Sequence, residues 1–199
     1  MEIRVISDLA SEPITTNVMK NRLKAKYGTD TTEDAEITSM IKSARQLIET
    51  YCNVSLGSKV IEIFVHADEI KSRRIRLPYG PHSVMTADYP VSVDQDGTET
   101  ALTLNTDYYK RGNLFWELEF LLATVNPWNE DSLTANDYKI RLTAGYGITG
   151  TYATETIPNE YIEAIKIQVQ QWYHNQYDWG LLSGAVKNLL KNVNRNTWL

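Results

Sequence analysis

Residues 31–52 read TTEDAEITSMIKSARQLIETYC, and a little further on residues 59–65 read KVIEIFV. The change of period between these two stretches decides the fold. In the first, Ile37, Met40, Ile41, Ala44, Leu47, Ile48 and Tyr51 recur at intervals of three and four, which stacks them on one side of a helix. Lys42, Arg45, Gln46 and Glu49 take the opposite face. Thr31 with Asp34 resembles a capping box, and Glu33, Asp34 and Glu36 sit where the helix dipole favours negative charge. The spacing predicts a helix over 32–52 lying against a core. In the second stretch Ile61, Ile63 and Val65 alternate with Glu62 and Phe64, the period of a strand.

Working outward, Met19, Leu23 and Tyr27 predict a short helix over 17–27, with Gly28 as its stop. Beyond residue 65, strands are expected at 74–77, ending in the turn Pro78-Tyr79-Gly80-Pro81, and along 84–93, where Pro90 marks an edge or a bulge. Asp96-Gly97 between Val91-Ser92-Val93 and Ala101-Leu102-Thr103-Leu104 signals a hairpin. Tyr108-Tyr109 and Leu114-Phe115-Trp116 read as a further pair around Arg111-Gly112-Asn113. Residues 126–137 are polar and read as a loop, and 138–144 alternate again. Pro158 opens a helix over 158–178 with Ile162, Ile165, Val169, Trp172 and Tyr173 as its buried stripe. After Gly180 and Gly184, the residues Ala185, Val186, Leu189, Leu190 and Val193 form a last short amphipathic helix. Helices, then strands, then helices predict an α+β fold, with helices at both ends packed together and an antiparallel β region inserted between them. The expected division is a domain over 1–178 and a C-terminal tail or short helix, 179–199, for docking a partner.

Composition narrows the function. The net charge of −5 argues against a surface that grips nucleic acid all over, although Lys187, Lys191 and Arg195 follow the last acid, Asp178. The opening residues, MEIRVISDLASEP, lack a basic start followed by an apolar stretch, so no signal peptide is expected. No run approaches the roughly 20 apolar residues that cross a bilayer, so no membrane partner is expected. Cys52 is the only cysteine, which excludes an internal disulfide and a cysteine-based zinc site.

Four patterns invite chemistry. Gly145-Tyr146-Gly147-Ile148-Thr149-Gly150 is a literal G-x-G-x-x-G, but a dinucleotide site needs its third glycine inside a helix start, and Pro158 comes too late. Asp94, Asp96, Gly97 and Glu99 suggest a calcium loop, yet aligning Gly97 with the invariant glycine puts Thr103 where the bidentate Glu belongs. His66, His82 and His174 are scattered and form no paired ligand motif. Cys52 stands near a helix end without a protease signature and reads as a small buried thiol. No catalytic residue, cofactor or metal is expected. The aromatic group Trp172, Tyr173, Tyr177, Trp179 and Trp198 is partly core. Trp179 and Trp198 fall outside the helical period, and rings in polar surroundings suit protein interfaces. Packing of the tail on its own domain explains them equally well.

An ordered series of short segments carries a family resemblance. It runs from Glu12-Pro13-Ile14-Thr15 through Asp34-Ala35-Glu36-Ile37, Ile41-Lys42-Ser43-Ala44-Arg45 and Ile48-Glu49-Thr50-Tyr51-Cys52-Asn53 to Leu77-Pro78-Tyr79-Gly80-Pro81. It continues with Asp107-Tyr108-Tyr109, then Ile140-Arg141-Leu142-Thr143-Ala144-Gly145-Tyr146-Gly147, and ends with Ile157-Pro158-Asn159 and residues 164–173. In this order the segments resemble the head–tail connector (head-completion adaptor) family of tailed bacteriophages. The chain departs from the pattern in a longer 116–137 segment and in an extension beyond Gly180.

The resemblance implies a virion structural protein of the neck, assembled in the host cytoplasm, and not an enzyme. It implies a homo-oligomeric ring, commonly of twelve, seated beneath the portal protein. That ring extends the DNA channel, passes packaged DNA without sequence-specific binding, and offers a platform to the next tail or neck protein. A ring needs two different faces of each subunit, and the exposed sides of 42–49 and 159–176 are candidates. Portal and ring contacts are expected at Trp179, Leu182, Val186, Lys187, Leu190, Lys191, Arg195, Trp198 and Leu199, in a segment that orders on meeting its partner. Two other readings stay open. One is a stopper or tail-completion protein of the same neck region. The other is a nucleic-acid-binding module that uses the basic aromatic C-terminal tail.

Overall fold

The computed structural model describes residues 1–23, 31–66, 74–94, 96–113, 115–121, 137–147, 156–174 and 180–194. By contact the chain divides into a β unit, Met1–Asp8 with Ser58–Thr154, and a helical unit, Leu9–Gly57 with Glu155–Leu199. The fold is α+β, with the β region inserted between helices that pack together, as the sequence leads one to expect.

Strict alternation builds the β unit. Its strands are β1 (Glu2–Ser7), β2 (Lys59–Val65), β3 (Arg74–Arg76), β4 (His82–Met85), β5 (Val91–Val93), β6 (Glu99–Ala101), β7 (Tyr108–Arg111), β8 (Glu117–Phe120) and β9 (Asp137–Ala144). Every second residue of β2 and β9 is buried, and the register sets Ile61 beside Leu142, Ile63 beside Ile140 and Val65 beside Tyr138. The larger sheet runs β1-β2-β9-β5-β6, all antiparallel, and β4 shares the flank of β9 with β5. A small sheet, β3-β8-β7, supplies Ile75, Leu118, Phe120 and Tyr108 to the same core, joined by Leu77 and Trp116. The rings of Phe120 and Tyr138 meet at 4.8 Å between centroids, so the two sheets share one apolar interior. On the outer face of the larger sheet, Glu62 pairs with Arg141 and Glu99 with Lys139.

Three features of this unit differ from expectation. The extended run read along 84–93 is two strands, β4 and β5, parted by a turn in which the Tyr89 N–H donates to the Thr86 carbonyl at 3.2 Å. The strand placed at 114–116 lies instead at β8, because Leu118 and Phe120 alternate with two glutamates while Trp116 turns in to close the core. And β1 was not foreseen: it is an edge strand almost wholly exposed, so burial leaves no alternating signature in it. The Asp96-Gly97 hairpin forms, but its second arm is Glu99–Ala101 and not the expected 101–104, with Val91 opposite Ala101 and Val93 opposite Glu99. Residues 126–136 lie outside the described residues.

The helical unit contains α1 (Thr16–Leu23), α2 (Asp34–Cys52), α3 (Asn159–Tyr173) and α4 (Gly184–Leu190). Along α2, Ile37, Met40, Ile41, Ala44, Ile48 and Cys52 are buried, and α1 and α3 both pack on this helix. Lys20 of α1 reaches Asp34 at 2.6 Å, and Arg22 reaches Glu163 of α3 at 2.8 Å. The capping box is not made: Glu33 caps α2 without a side-chain bond, and the Asp34 carboxylate serves Lys20. On α3, Tyr161, Ala164 and Gln168 join Ile165, Val169 and Trp172 in the interior, while Ile162 and Tyr173 are only half-buried.

Candidate partner-binding site

The C-terminal segment is built onto α3 by a repeat of four. Leu182, just before the helix, and Val186 and Leu190, one turn apart within it, are all buried. Ser183 begins α4 as an N-cap, its Oγ accepting the Val186 N–H at 3.3 Å. Gln168, fully buried on α3, spends both ends of its amide on this segment. Its Nε2 donates to the Leu181 carbonyl at 3.2 Å, and its Oε1 accepts the Ser183 N–H at 3.1 Å. Tyr161 Oη donates to the Val193 carbonyl at 2.7 Å.

The expectation of a segment that orders only on meeting a partner is thereby corrected for residues 180–194, which pack in the single chain. The apolar stripe 182, 186, 190 was in the sequence, and it has a place to go. Of the residues named as partner contacts, the structure places Leu182, Val186 and Leu190 inside. Lys187 and Lys191 lie on the exposed side of the helix. Leu181 beside them is 56% exposed, and no sequence pattern singled it out. Trp179, Arg195, Trp198 and Leu199 lie outside the described residues.

The exposed face expected over 42–49 is also narrower than read. Arg45 is 1% exposed and Glu49 is buried with it. The guanidinium donates from Nε to Glu12 at 2.7 Å and from Nη1 to Glu49 at 2.8 Å, and the second Glu49 oxygen accepts the Leu56 N–H at 2.8 Å. Two carboxylates and one cation therefore tie the segment before α1 and the turn after α2 to the middle of α2. The same two segments touch at Gly57, where a Cβ would fall 2.4 Å from the Leu9 side chain, so any larger residue would push that leucine aside. Sequence reading missed this cluster because Glu12 is far from Arg45 in the chain.

The remaining candidates resolve into structure. His82 is buried; its Nδ1 accepts the Trp116 N–H at 2.9 Å, so Nε2 carries the proton and donates to the Pro78 carbonyl at 2.8 Å. Burial pushes its pKa down to about 4, and the ring is a neutral strut at the start of β4. His66 pairs with Asp137 at 3.1 Å, and His174 caps α3. Burial raises the Cys52 thiol to about 12, which removes the thiolate a nucleophile needs. The Gly145 N–H is already bonded to the Pro81 carbonyl, and residues 148–150 of that glycine motif lie outside the described residues. Around Gly97, the loop is closed by Gly97 N–H to Asp94 and Thr98 N–H to Asp96, while Glu99 holds Lys139. Among the described residues no three acids, histidines or cysteines are grouped to hold a metal. Nor is any helix of the described residues long and apolar enough to cross a membrane.

No family model matches the chain, and no curated protein matches it in sequence. Solved structures match along nearly its whole length, so the fold is a shared one. A chain from the virion of a native gene transfer agent (GTA) particle matches at TM-score 0.70 and 19% identity. Chains from the neck of the empty GTA particle, computed with C6 symmetry, and of the native particle, computed with C12 symmetry, match at 0.69 and 0.63, each at 18% identity. Each match covers 98% of this chain and 95% of the other.

Proposed function

We propose that this chain is a structural subunit of the neck of a tailed-phage-like particle, an adaptor that stands in a ring beneath the portal. The observation that carries the reading is its fold, common to GTA neck chains over 98% of this sequence and with neither chain much longer than the match. The ordered segments that resemble phage connectors support it independently. The ring extends the channel through which DNA leaves the head and presents a platform to the next neck or tail protein. Its chemistry is association, with no bond made or broken. The net charge of −5 suits a channel that lets DNA pass without holding it.

In this reading the segment from Trp179 to the C-terminus docks on the portal or on a neighbouring copy. Leu181, Lys187 and Lys191 supply its exposed surface, and Leu182, Val186 and Leu190 hold α4 in position to present it. Trp179, Arg195, Trp198 and Leu199, outside the described residues, are the further partner contacts this reading expects. Electron-microscope images of the purified chain mixed with its portal test the proposal. Closed rings on the tail-facing end of the portal are expected; a chain that stays single beside an intact portal, or that binds DNA in a salt-dependent way without forming rings, refutes it.

A further inference from the structure

The larger sheet ends at β1 on one side and at β6 and the short β4 on the other, and no described strand pairs with the outer side of β1 or β6. Proteins guard such edges with proline, lysine or very short strands. Here β1 has six residues and carries neither proline nor lysine; Glu2 and Arg4 are its charges and its register slips only after Val5, yet it leaves Val5 50% and Ile6 44% exposed. Its register places Val5 beside Ile61 and Ile3 beside Ile63, so it continues the apolar face of the sheet beyond its cover. Every second residue of an edge strand also turns its N–H and C=O outward. The opposite edge, β6, is exposed at each of its residues.

We infer that β1 of one copy pairs with β6 of the next, so that the larger sheet runs on across the subunit boundary. The inference rests on the ring proposed above and names the contact that closes it. A closed ring of identical chains requires two different, complementary surfaces on each copy. Two edges of one sheet meet that condition, and joining them covers both β1 and β6 in every copy, leaving only the short β4 with an unpaired side. Charge agrees. Arg4 of β1 has no ion-pair partner among the described residues, and the turn leading into β6 holds Asp94 and Asp96, likewise outside any ion pair there. Each contact is small, a few backbone hydrogen bonds and the cover of Val5 and Ile6, so closure of the whole ring supplies the stability that one contact lacks.

The test uses the full chain, alone at rising concentration and with its portal. The double variant Val5→Lys, Ile6→Lys is expected to raise the concentration needed for rings at least tenfold, while exchange protection of the β2 and β9 amides stays that of the parent. A second variant set does not depend on that substitution being harmless. Thr100→Cys combined with Arg4→Cys or Val5→Cys is expected to give, on oxidation, a ladder of covalent multimers that either cysteine alone does not give; buried Cys52 stays silent. Rings that form with parental affinity in the lysine variant, or without any ladder in both cysteine pairs, overturn the β1–β6 contact and leave the ring reading standing. A parent chain that forms no ring even with its portal overturns both.

Discussion

The two units hold their interiors in different ways. In the β unit the centre is apolar alternation from two sheets, and the single buried histidine is neutral and fully bonded. In the helical unit a full charge, Arg45, sits in the interior between two carboxylates. Apolar packing is tolerant of small changes and indifferent to partner identity. A buried ion group tolerates neither the loss of a member nor a shift in its geometry. The Arg45 group is thus one point at which the helical unit's geometry is tightly specified, whereas the apolar cluster of the β unit, beside its own buried Lys59 and Asp107, spreads the same task over many side chains.

The sharpest way to break this contrast is Arg45→Ala, which strands Glu12 and Glu49. A loss of about 3–5 kcal/mol is expected in denaturant unfolding of the helical unit, read by hydrogen exchange at α2 and α3. Replacing Glu12, Arg45 and Glu49 together with Leu, Met and Leu should come back close to parental stability; if it does not, the group contributes more than mutual neutralisation. In the β unit, Ile140→Ala is expected to cost about 2–5 kcal/mol, with the loss confined to exchange of β2, β8 and β9. His82 adds a pH term. Its pKa is lower folded, about 4, than in the ordinary range near 6.5, so unfolded chain binds the extra proton between those values. Stability contributed there is complete above about pH 6.5 and declines towards pH 4, by up to about 3 kcal/mol. Denaturation midpoints across that window check the slope, which His82→Gln should remove. Glu119, held below its usual range by Arg111, and Glu163, held down by Lys166, act only at lower pH. The smallest effect is Ser183→Ala, about 1 kcal/mol from the lost cap, seen as faster exchange in α4 alone.

The elements legible in the sequence were those whose burial repeats regularly over many residues: α2 by its threes and fours, β2 and β9 by their twos. Arg45 escaped because charge is ordinarily a sign of the outside, and the partner that brings it inside, Glu12, belongs to a segment with no period at all. The strand β8 begins three residues later than expected, because a run of apolar residues, Leu114-Phe115-Trp116, mimics a buried strand while the true one alternates as Leu118 and Phe120. β1 lacked any signal because an edge strand with no cover has no reason to alternate in burial. For the candidate docking segment, Val186 and Leu190 marked an amphipathic helix, but an apolar stripe is the same in sequence whether it meets its own domain or a partner, so its seat on α3 was not legible.

The bonds that fasten residues 181–193 to α3 also define a line of force. A pull on the chain beyond residue 194 is transmitted through the Val193 carbonyl to Tyr161 and through Leu181 and Ser183 to Gln168, at two levels of the same helix. Tension at that end would thus be borne by α3 along its length, and the helix that anchors the strap would feel it before any single side chain gave way.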